Sequence, residues 1–166
     1  MGSDVDSVGS VQPAPVTVTV TVTVAASPAR VWQALVTPAE VTQWDGARPR
    51  QVPAGYPAPG QHARWAIRLA GWPVTLHDRI RAVEPPRRLA STITVGMVHV
   101  DEEYRLIADG SDTRLMLVDR VSSPVPGVAW LAAGWVRRTA GTGLARLAEL
   151  CEADRPAAGS GSTEPW

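Results

Sequence analysis

The chain has 166 residues, a length that suits one domain with a substantial hydrophobic core. Its sixteen basic residues, all arginine, balance sixteen acidic ones, so we expect neither a nucleic-acid partner nor attraction to an anionic membrane. The single cysteine, Cys151, excludes an intramolecular disulfide and a cysteine-type zinc site. Lysine, asparagine and phenylalanine, which have AT-rich codons, are absent, and this bias indicates a GC-rich bacterial genome.

Both ends of the chain have the composition of disordered tails. Residues 1–14 and 154–166 are rich in Ser, Gly, Asp and Pro, which leaves a domain over residues 15–153. The first ten residues lack the basic and apolar regions of a signal peptide. No apolar run approaches the roughly 18 residues of a membrane span. We therefore predict a cytoplasmic protein without stable membrane insertion, and its oligomeric state stays open.

The first predicted elements are a strand and two short helices. The stretch VTVTVTVTV at 16–24 alternates perfectly, which predicts valines on the inner face of a sheet and threonines facing solvent. SPARVWQAL follows, with Ser27 as N-cap and Pro28 in the first helical turn. TPAEVTQW predicts a second helix with Thr37 as its cap. The loop at 45–61, which carries Tyr56 among prolines, either gates a pocket or is a plain surface loop.

Residues 62–121 change to a period of two, which is typical of strands. The predicted strands are QHARWAIRLAGW, VTLHDRIRAV, a segment broken near Gly96 (LASTITVGMVHVDEEYRLI), and TRLMLVDRV after a hairpin at ADGSD. The inward face of the last strand, 113–121, stays open, because Asp119 and Arg120 both have apolar neighbours on their own face. On this alternation all three histidines point to solvent, so we predict no metal site: His62, His77 and His99.

The last predicted element is a long helix over about 125–153. Its apolar positions form one stripe near the start (Val128, Leu131, Trp135) and another toward the end (Val136, Leu147, Leu150, Cys151). Three glycines inside it, each costing about 1 kcal/mol relative to alanine, suggest close packing, a bend or reserved space. The order of elements predicts an α+β fold, with a curved antiparallel sheet of six to seven strands wrapped around this helix.

This arrangement resembles the START-like, helix-grip (SRPBCC) superfamily of polyketide cyclases/dehydrases and lipid-transport proteins. The resemblance rests on VAASPARVWQALVTPAEVTQW, PGQHARW, RIRAVEPPRRLA and DTRLMLVDR, and it covers about residues 16–152. It implies a deep, largely apolar pocket between the sheet and the C-terminal helix. Members of the superfamily bind polyketides, lipids, steroids, plant hormones and aromatic compounds, and they share a cavity rather than a catalytic motif.

Two carboxylates fall on otherwise apolar strand faces. Asp78 shares its face with Val74, Leu76 and Ile80, and Glu102 shares its face with Val98, Val100 and Tyr104. A buried carboxylate is costly unless it is paired, hydrogen-bonded or protonated. These residues therefore belong to a pocket wall, pair with an arginine at a rim, or are displaced by a bulge. In a pocket, Glu102, or second Asp78, would act as a general acid or base, and Tyr104 would donate a hydrogen bond to a carbonyl.

The remaining candidate pocket residues come from the strands and the long helix. For the aromatic ones core packing is the alternative, and Arg138 is either a partner for an inward acid or solvated. The candidates for ligand binding are Trp65, Ile67, Leu76, Val100, Leu131, Trp135 and Arg138.

The chain carries none of the hydrolase, zinc-protease or nucleotide-binding motifs. We therefore predict binding of a hydrophobic, oxygenated small molecule, and the resemblance implies polyketide cyclisation or dehydration in bacterial secondary metabolism, such as antibiotic biosynthesis, without a cofactor. Two alternatives stay open, a non-catalytic carrier or sensor of lipid or aromatic ligands and a protein-interaction module of the same fold.

Overall fold

The computed structural model describes residues 13–154, so the predicted tails at 1–14 and 154–166 lie almost entirely outside the described residues. The predicted α+β, helix-grip architecture is confirmed over this range. The elements in chain order are β1 (Val16–Val24), α1 (Pro28–Val36), α2 (Pro38–Trp44), β2 (Arg48–Gln51), β3 (His62–Leu69), β4 (Trp72–Glu84), β5 (Arg88–Val95), β6 (Val98–Asp109), β7 (Asp112–Ser122) and α3 (Val128–Ala153).

The seven strands form one antiparallel sheet in the order β1-β7-β6-β5-β4-β3-β2. All neighbours except one are consecutive in the chain, because short hairpins connect β3 through β7 and a longer loop leads from β2 to β3. The exception joins the first and last strands, which pair along their whole length from Val16↔Val121 to Val24↔Thr113. The chain then turns into α3, which packs mainly on β1 and β7. Other parts of the chain cover β3, β4 and β5.

The alternation in β1 has the predicted orientation. Val18 and Val24 are buried and the other valines partly buried, whereas all four threonines are exposed. The two helices after it also follow their signals. Ser27 caps α1 by accepting a hydrogen bond from the Arg30 N–H at 3.4 Å, and Thr37 lies between α1 and α2. The Trp44 indole donates to the Ala34 carbonyl at 2.9 Å and thereby fixes α2 against α1.

The predicted stripe at the start of α3 is wrong. Small residues face the sheet there, Ala129 and Ala133, while Leu131 is 71% exposed. The helix lies close to β1 and β7, and this close approach leaves room for methyl groups rather than for leucine. Toward the end of the helix the predicted stripe is confirmed, with Leu147 and Cys151 fully buried.

The apolar core consists of three separate clusters. The largest joins α1, α2, β7 and the second half of α3 and includes Leu115, Leu144 and Leu147. A second lies under the first half of α3, around Val18 and Val121. The third lies around Trp65 on β3, near the β2 edge of the sheet, and is covered by residues of α2 and of the loop before β3.

Candidate functional site

The inner face of the sheet carries a row of polar side chains between these clusters. Glu102 on β6 lies directly opposite Asp119 on β7 and Ser91 on β5. Ser91 in turn lies opposite Ile80 on β4. The register shift in β4 begins only after Ile80, so Asp78 keeps the inward register that the alternation predicts. The pleat therefore brings three carboxyl groups from three strands to one face of the sheet.

Asp78 is 6% exposed and accepts a hydrogen bond from the Tyr56 hydroxyl at 2.9 Å. Burial raises the pKa of this carboxyl, and the hydrogen bond from Tyr56 offsets part of the rise. Its second oxygen, Oδ1, has no hydrogen-bond partner among the described residues. The loop at 45–61 thus reaches the sheet interior through Tyr56, whose ring also meets Trp65 edge-on with centroids 5.9 Å apart.

Glu102 and Asp119 form a pair of like-charged neighbours. Burial and then the charges of Asp119, Asp78 and Asp45 raise the pKa of Glu102 well above its usual range. Burial raises the pKa of Asp119 to about 7. Asp119 is 2% exposed, and its Oδ1 has no partner among residues 13–154. Two adjacent buried carboxyls cannot both ionise cheaply, so at neutral pH the pair retains at least one proton.

Tyr104 lies two residues beyond Glu102 on the same face and is 7% exposed. Burial, followed by the neighbouring carboxylates, raises the pKa of its phenol well above the usual value. The hydroxyl therefore stays protonated and remains a hydrogen-bond donor at any physiological pH.

Asp45 also lies near this row. It ends α2 and is exposed to solvent, yet desolvation by the surrounding protein raises the pKa of its carboxyl. It also lies near enough to Glu102 and Tyr104 to raise the pKa of both. Glu102 itself keeps part of its surface accessible. Asp45, Glu102 and Tyr104 therefore lie close enough together to interact electrostatically at the inner face of the sheet.

The alternative of a rim carboxylate paired with an arginine does not hold for the described chain. Every arginine between residues 13 and 154 is exposed except two. Arg30 pairs with Glu40 and Asp154, and Arg88 pairs with Glu84 and Glu103. None of the ion pairs in this range includes Asp78, Glu102 or Asp119.

The structure divides the predicted ligand-binding residues into two groups. Trp65, Ile67, Leu76 and Val100 belong to the inner face of β3, β4 and β6, and Trp65 and Leu76 are cross-strand partners beside Asp78. The other three lie on α3.

Leu131, Trp135 and Arg138 line a surface groove together with Val16 and Trp130. Leu131 and Arg138 are exposed there and are not brought to the carboxyl row, because Ala129 and Ala133 occupy the sheet-facing positions of the helix. Trp135 is half-buried and also packs on the cluster around Val18.

Sequence reasoning missed several residues of the site. It left the inward face of β7 open, and the structure resolves it with Asp119 inside and Arg120 exposed. Only the register of β7 against Glu102 on β6 distinguishes these options. Tyr56 was noted only as part of a loop that either gates a pocket or lies on the surface, because loops follow no period. Asp45, at a helix end, and Ser91, a short polar residue on β5, gave no signal of a site.

The three histidines are exposed, as the alternation predicts: His62, His77 and His99. Between residues 13 and 154 no group of three or more potential ligand side chains could hold a metal ion. In the same range no helix is both long and apolar enough to cross a bilayer.

Comparison with known proteins follows this geometry. Residues 15–152 match the family model described as polyketide cyclase / dehydrase and lipid transport. Similar solved structures include the Zhui aromatase/cyclase from Streptomyces sp. R1128, at 24% identity and a TM-score of 0.73, covering 87% of this chain and 98% of that one. MLL2253 from Mesorhizobium loti has 20% identity and a TM-score of 0.70, covering 85% of this chain and 100% of its own.

DynU16, a protein in the dynemicin biosynthetic locus, has 23% identity and a TM-score of 0.66, covering 84% of this chain and 48% of its own. No curated protein sequence matches the chain significantly. At these identities the solved structures show a shared fold.

Proposed function

The chain belongs to the polyketide cyclase/dehydrase and lipid transport family, and we propose that it is a polyketide-type cyclase/dehydratase that binds a hydrophobic, oxygenated substrate in the cavity before the carboxyl row. The observation that carries this proposal is the row of inward carboxyls, Asp78, Glu102 and Asp119, whose pKa values burial raises, that of Asp119 to about 7. Such groups give and take protons at physiological pH, which is the property that acid–base catalysis requires.

The reaction class is an intramolecular aldol addition followed by loss of water. A carboxylate, Glu102 or Asp78, takes a proton from a carbon next to a carbonyl. The resulting enolate carbon forms a bond to the carbon of another carbonyl, and a protonated carboxyl gives a proton to the oxygen of that carbonyl. Loss of a second carbon-bound proton and protonation of the new hydroxyl release one water. Tyr104 donates a hydrogen bond to the carbonyl oxygen on which negative charge develops.

The apolar walls contribute positioning. Trp65, Leu76 and Val100 border the carboxyl row and confine a flexible chain to conformations in which the reacting carbons meet. A substrate confined in this way is already in a reactive conformation that the free molecule would rarely adopt, and the apolar walls keep water from the reacting carbons.

A simple aryl triketone, phenylhexanetrione, tests the proposal because its cyclisation with loss of water changes its ultraviolet absorbance. We expect the protein to accelerate this cyclisation, and Glu102→Gln and Asp78→Asn each to lower the acceleration by about a hundredfold, at the low end of the contribution of a general acid or base. Glu103→Gln is the matched control, because Glu103 neighbours Glu102 on the strand but pairs with Arg88 and Arg105 on the outer face.

Acceleration that survives both carboxyl substitutions would remove the acid–base role. Saturable binding of the triketone without acceleration would show a carrier rather than an enzyme. Absence of both would contradict the proposed function as a whole.

A further inference from the structure

The carboxyl row also limits which ligand the cavity accepts. Building on the proposed function, we propose that the ligand is a hydrophobic molecule with a basic nitrogen, held as an ammonium ion between Glu102 and Asp119. The inference rests on the positions of Glu102 and Asp119 opposite each other on paired strands, on the unmet hydrogen-bonding capacity of Asp119 and Asp78, and on the placement of the arginines.

Two of the inward carboxyls have an oxygen that nothing in the described chain satisfies. Asp119 and Asp78 are 2% and 6% exposed, and in each the Oδ1 atom lacks a hydrogen-bond donor. An unsatisfied buried polar group destabilises the protein, and it does so more when it is charged. A bound donor group removes this cost, and an ammonium ion offers up to three N–H donors to neighbouring oxygens.

The strongest charges acting on Glu102 are all negative. Asp119, Asp78 and Asp45 each act on Glu102, and Tyr104 and the apolar residues around Val18 and Val121 complete its surroundings. Among residues 13–154 no arginine or histidine forms an ion pair with Asp78, Glu102 or Asp119. Because the arginines of residues 13–154 are exposed or paired elsewhere, the countercharge must come from the ligand if both members of the pair are to ionise.

The rest of the cavity selects an organic cation over an inorganic one. The carboxyls project from separate strands, and no group of them in residues 13–154 is arranged to hold a metal ion. Apolar side chains border the row on both sides, including Trp65 and Val100. This combination fits an amphipathic molecule with one charged nitrogen and an apolar body.

An ammonium ion at Glu102 and Asp119 gives the carboxyls of the row two different roles. Asp78, with its Tyr56 partner, then supplies the acid–base group for the proposed reaction. Placement of the nitrogen therefore fixes the orientation of the substrate relative to Asp78.

Calorimetric titration with two matched probes, naphthylmethylamine and naphthylmethanol, tests the inference, because they differ only in the charged group. At neutral pH we expect the amine to bind at least about tenfold more tightly, a difference of about 1.4 kcal/mol. Repeating the titration in buffers of different ionisation enthalpy should show proton release with the amine and none with the alcohol, since the ammonium displaces the proton retained by the pair.

The preference for the amine should disappear in Glu102→Gln and in Asp119→Asn, and should persist in Glu103→Gln. Two substitutions are used because Asp119 is buried, whereas Glu102 is partly accessible and tolerates replacement more readily. Equal or weaker binding of the amine by the wild-type protein would overturn this inference and leave the proposed function intact. If neither probe binds while the triketone is still cyclised, the inference again fails alone.

Discussion

Replacement of Asp119 by asparagine should change how stability depends on pH. Asp119 is 2% exposed, and burial raises its pKa from 3.8 to about 7. A carboxyl whose pKa is higher in the folded state binds its proton more tightly there, so its contribution to stability is complete below the unfolded pKa. That contribution is lost as pH rises through the folded pKa. Wild-type protein should therefore lose stability between about pH 4 and about pH 7.

The magnitude follows from the shift. About three pKa units at 1.36 kcal/mol each correspond to about 4 kcal/mol, and about two of those units fall between about pH 5 and about pH 7. The expected loss from Asp119 over that interval is therefore about 3 kcal/mol. Glu102 adds a loss of the same sign, because its pKa is raised as well. The amide of the Asp119→Asn variant cannot ionise, and removal of the Asp119 charge also lowers the pKa of Glu102.

Urea unfolding followed by tryptophan fluorescence at about pH 5 and about pH 8 measures this difference. Asp119→Asn should be more stable than wild type at the higher pH and should show a flatter dependence on pH. Glu103→Gln provides a contrast of opposite sign, because Arg88 and Arg105 lower the pKa of Glu103 and its stabilisation is lost under acid. Identical pH dependence in wild type and Asp119→Asn would refute the reasoning.

Two further predictions concern packing, and both are read from the urea midpoint. Gly143→Leu should destabilise by about 1–3 kcal/mol through overpacking, because a Cβ added at Gly143 would already lie 3.5 Å from the Trp44 ring. Gly141→Leu should not destabilise in this way, because a Cβ added there has nothing within 4 Å. Equal effects of the two substitutions would contradict this packing of α3. Leu115→Ala should lower the free energy of unfolding by about 2–5 kcal/mol because Leu115 is fully buried. Ile107→Ala should lower it by well under about 1 kcal/mol, because Ile107 is 51% exposed. Similar losses in the two variants would place the core elsewhere.

Those parts of the fold that depend on local signals could be predicted from the sequence. The alternation of β1 determined which face is buried, and Ser27, Pro28 and Thr37 marked the helix starts that the structure shows. The break near Gly96 also lies where predicted, between β5 and β6. Each of these signals acts within a few residues, so no knowledge of tertiary packing was needed.

The rotation of α3 could not be predicted, because it depends on how closely the helix approaches the sheet. Large apolar residues favour burial by hydropathy alone, and this reasoning assigned Leu131 to the core. The structure instead buries Ala129 and Ala133, since a close helix–sheet approach is possible only over small side chains. Hydrophobicity ranks residues by transfer free energy, whereas the helix rotation is decided by shape.

The candidate site was predicted in part for a similar reason. Asp78 and Glu102 stood out because apolar neighbours on both sides fixed their inward direction. Asp119 did not, since Leu115 and Leu117 lie on one face of β7 and Met116 and Val118 on the other. The pairing of β7 with β6 resolves this ambiguity, and that pairing is a long-range property of the sheet.

The energetics of the carboxyl row indicate why such residues are present in the interior. The three apolar clusters hold the helices on the sheet without them, and the ionisation of Asp119 and Glu102 opposes folding at neutral pH. Replacement by uncharged side chains should therefore stabilise the fold, so stability alone does not explain the row. Buried ionisable groups that weaken a protein are characteristic of sites that act on a ligand. Asp119→Asn tests stability and ligand binding separately, because this variant should gain stability at high pH and lose the preference for an amine.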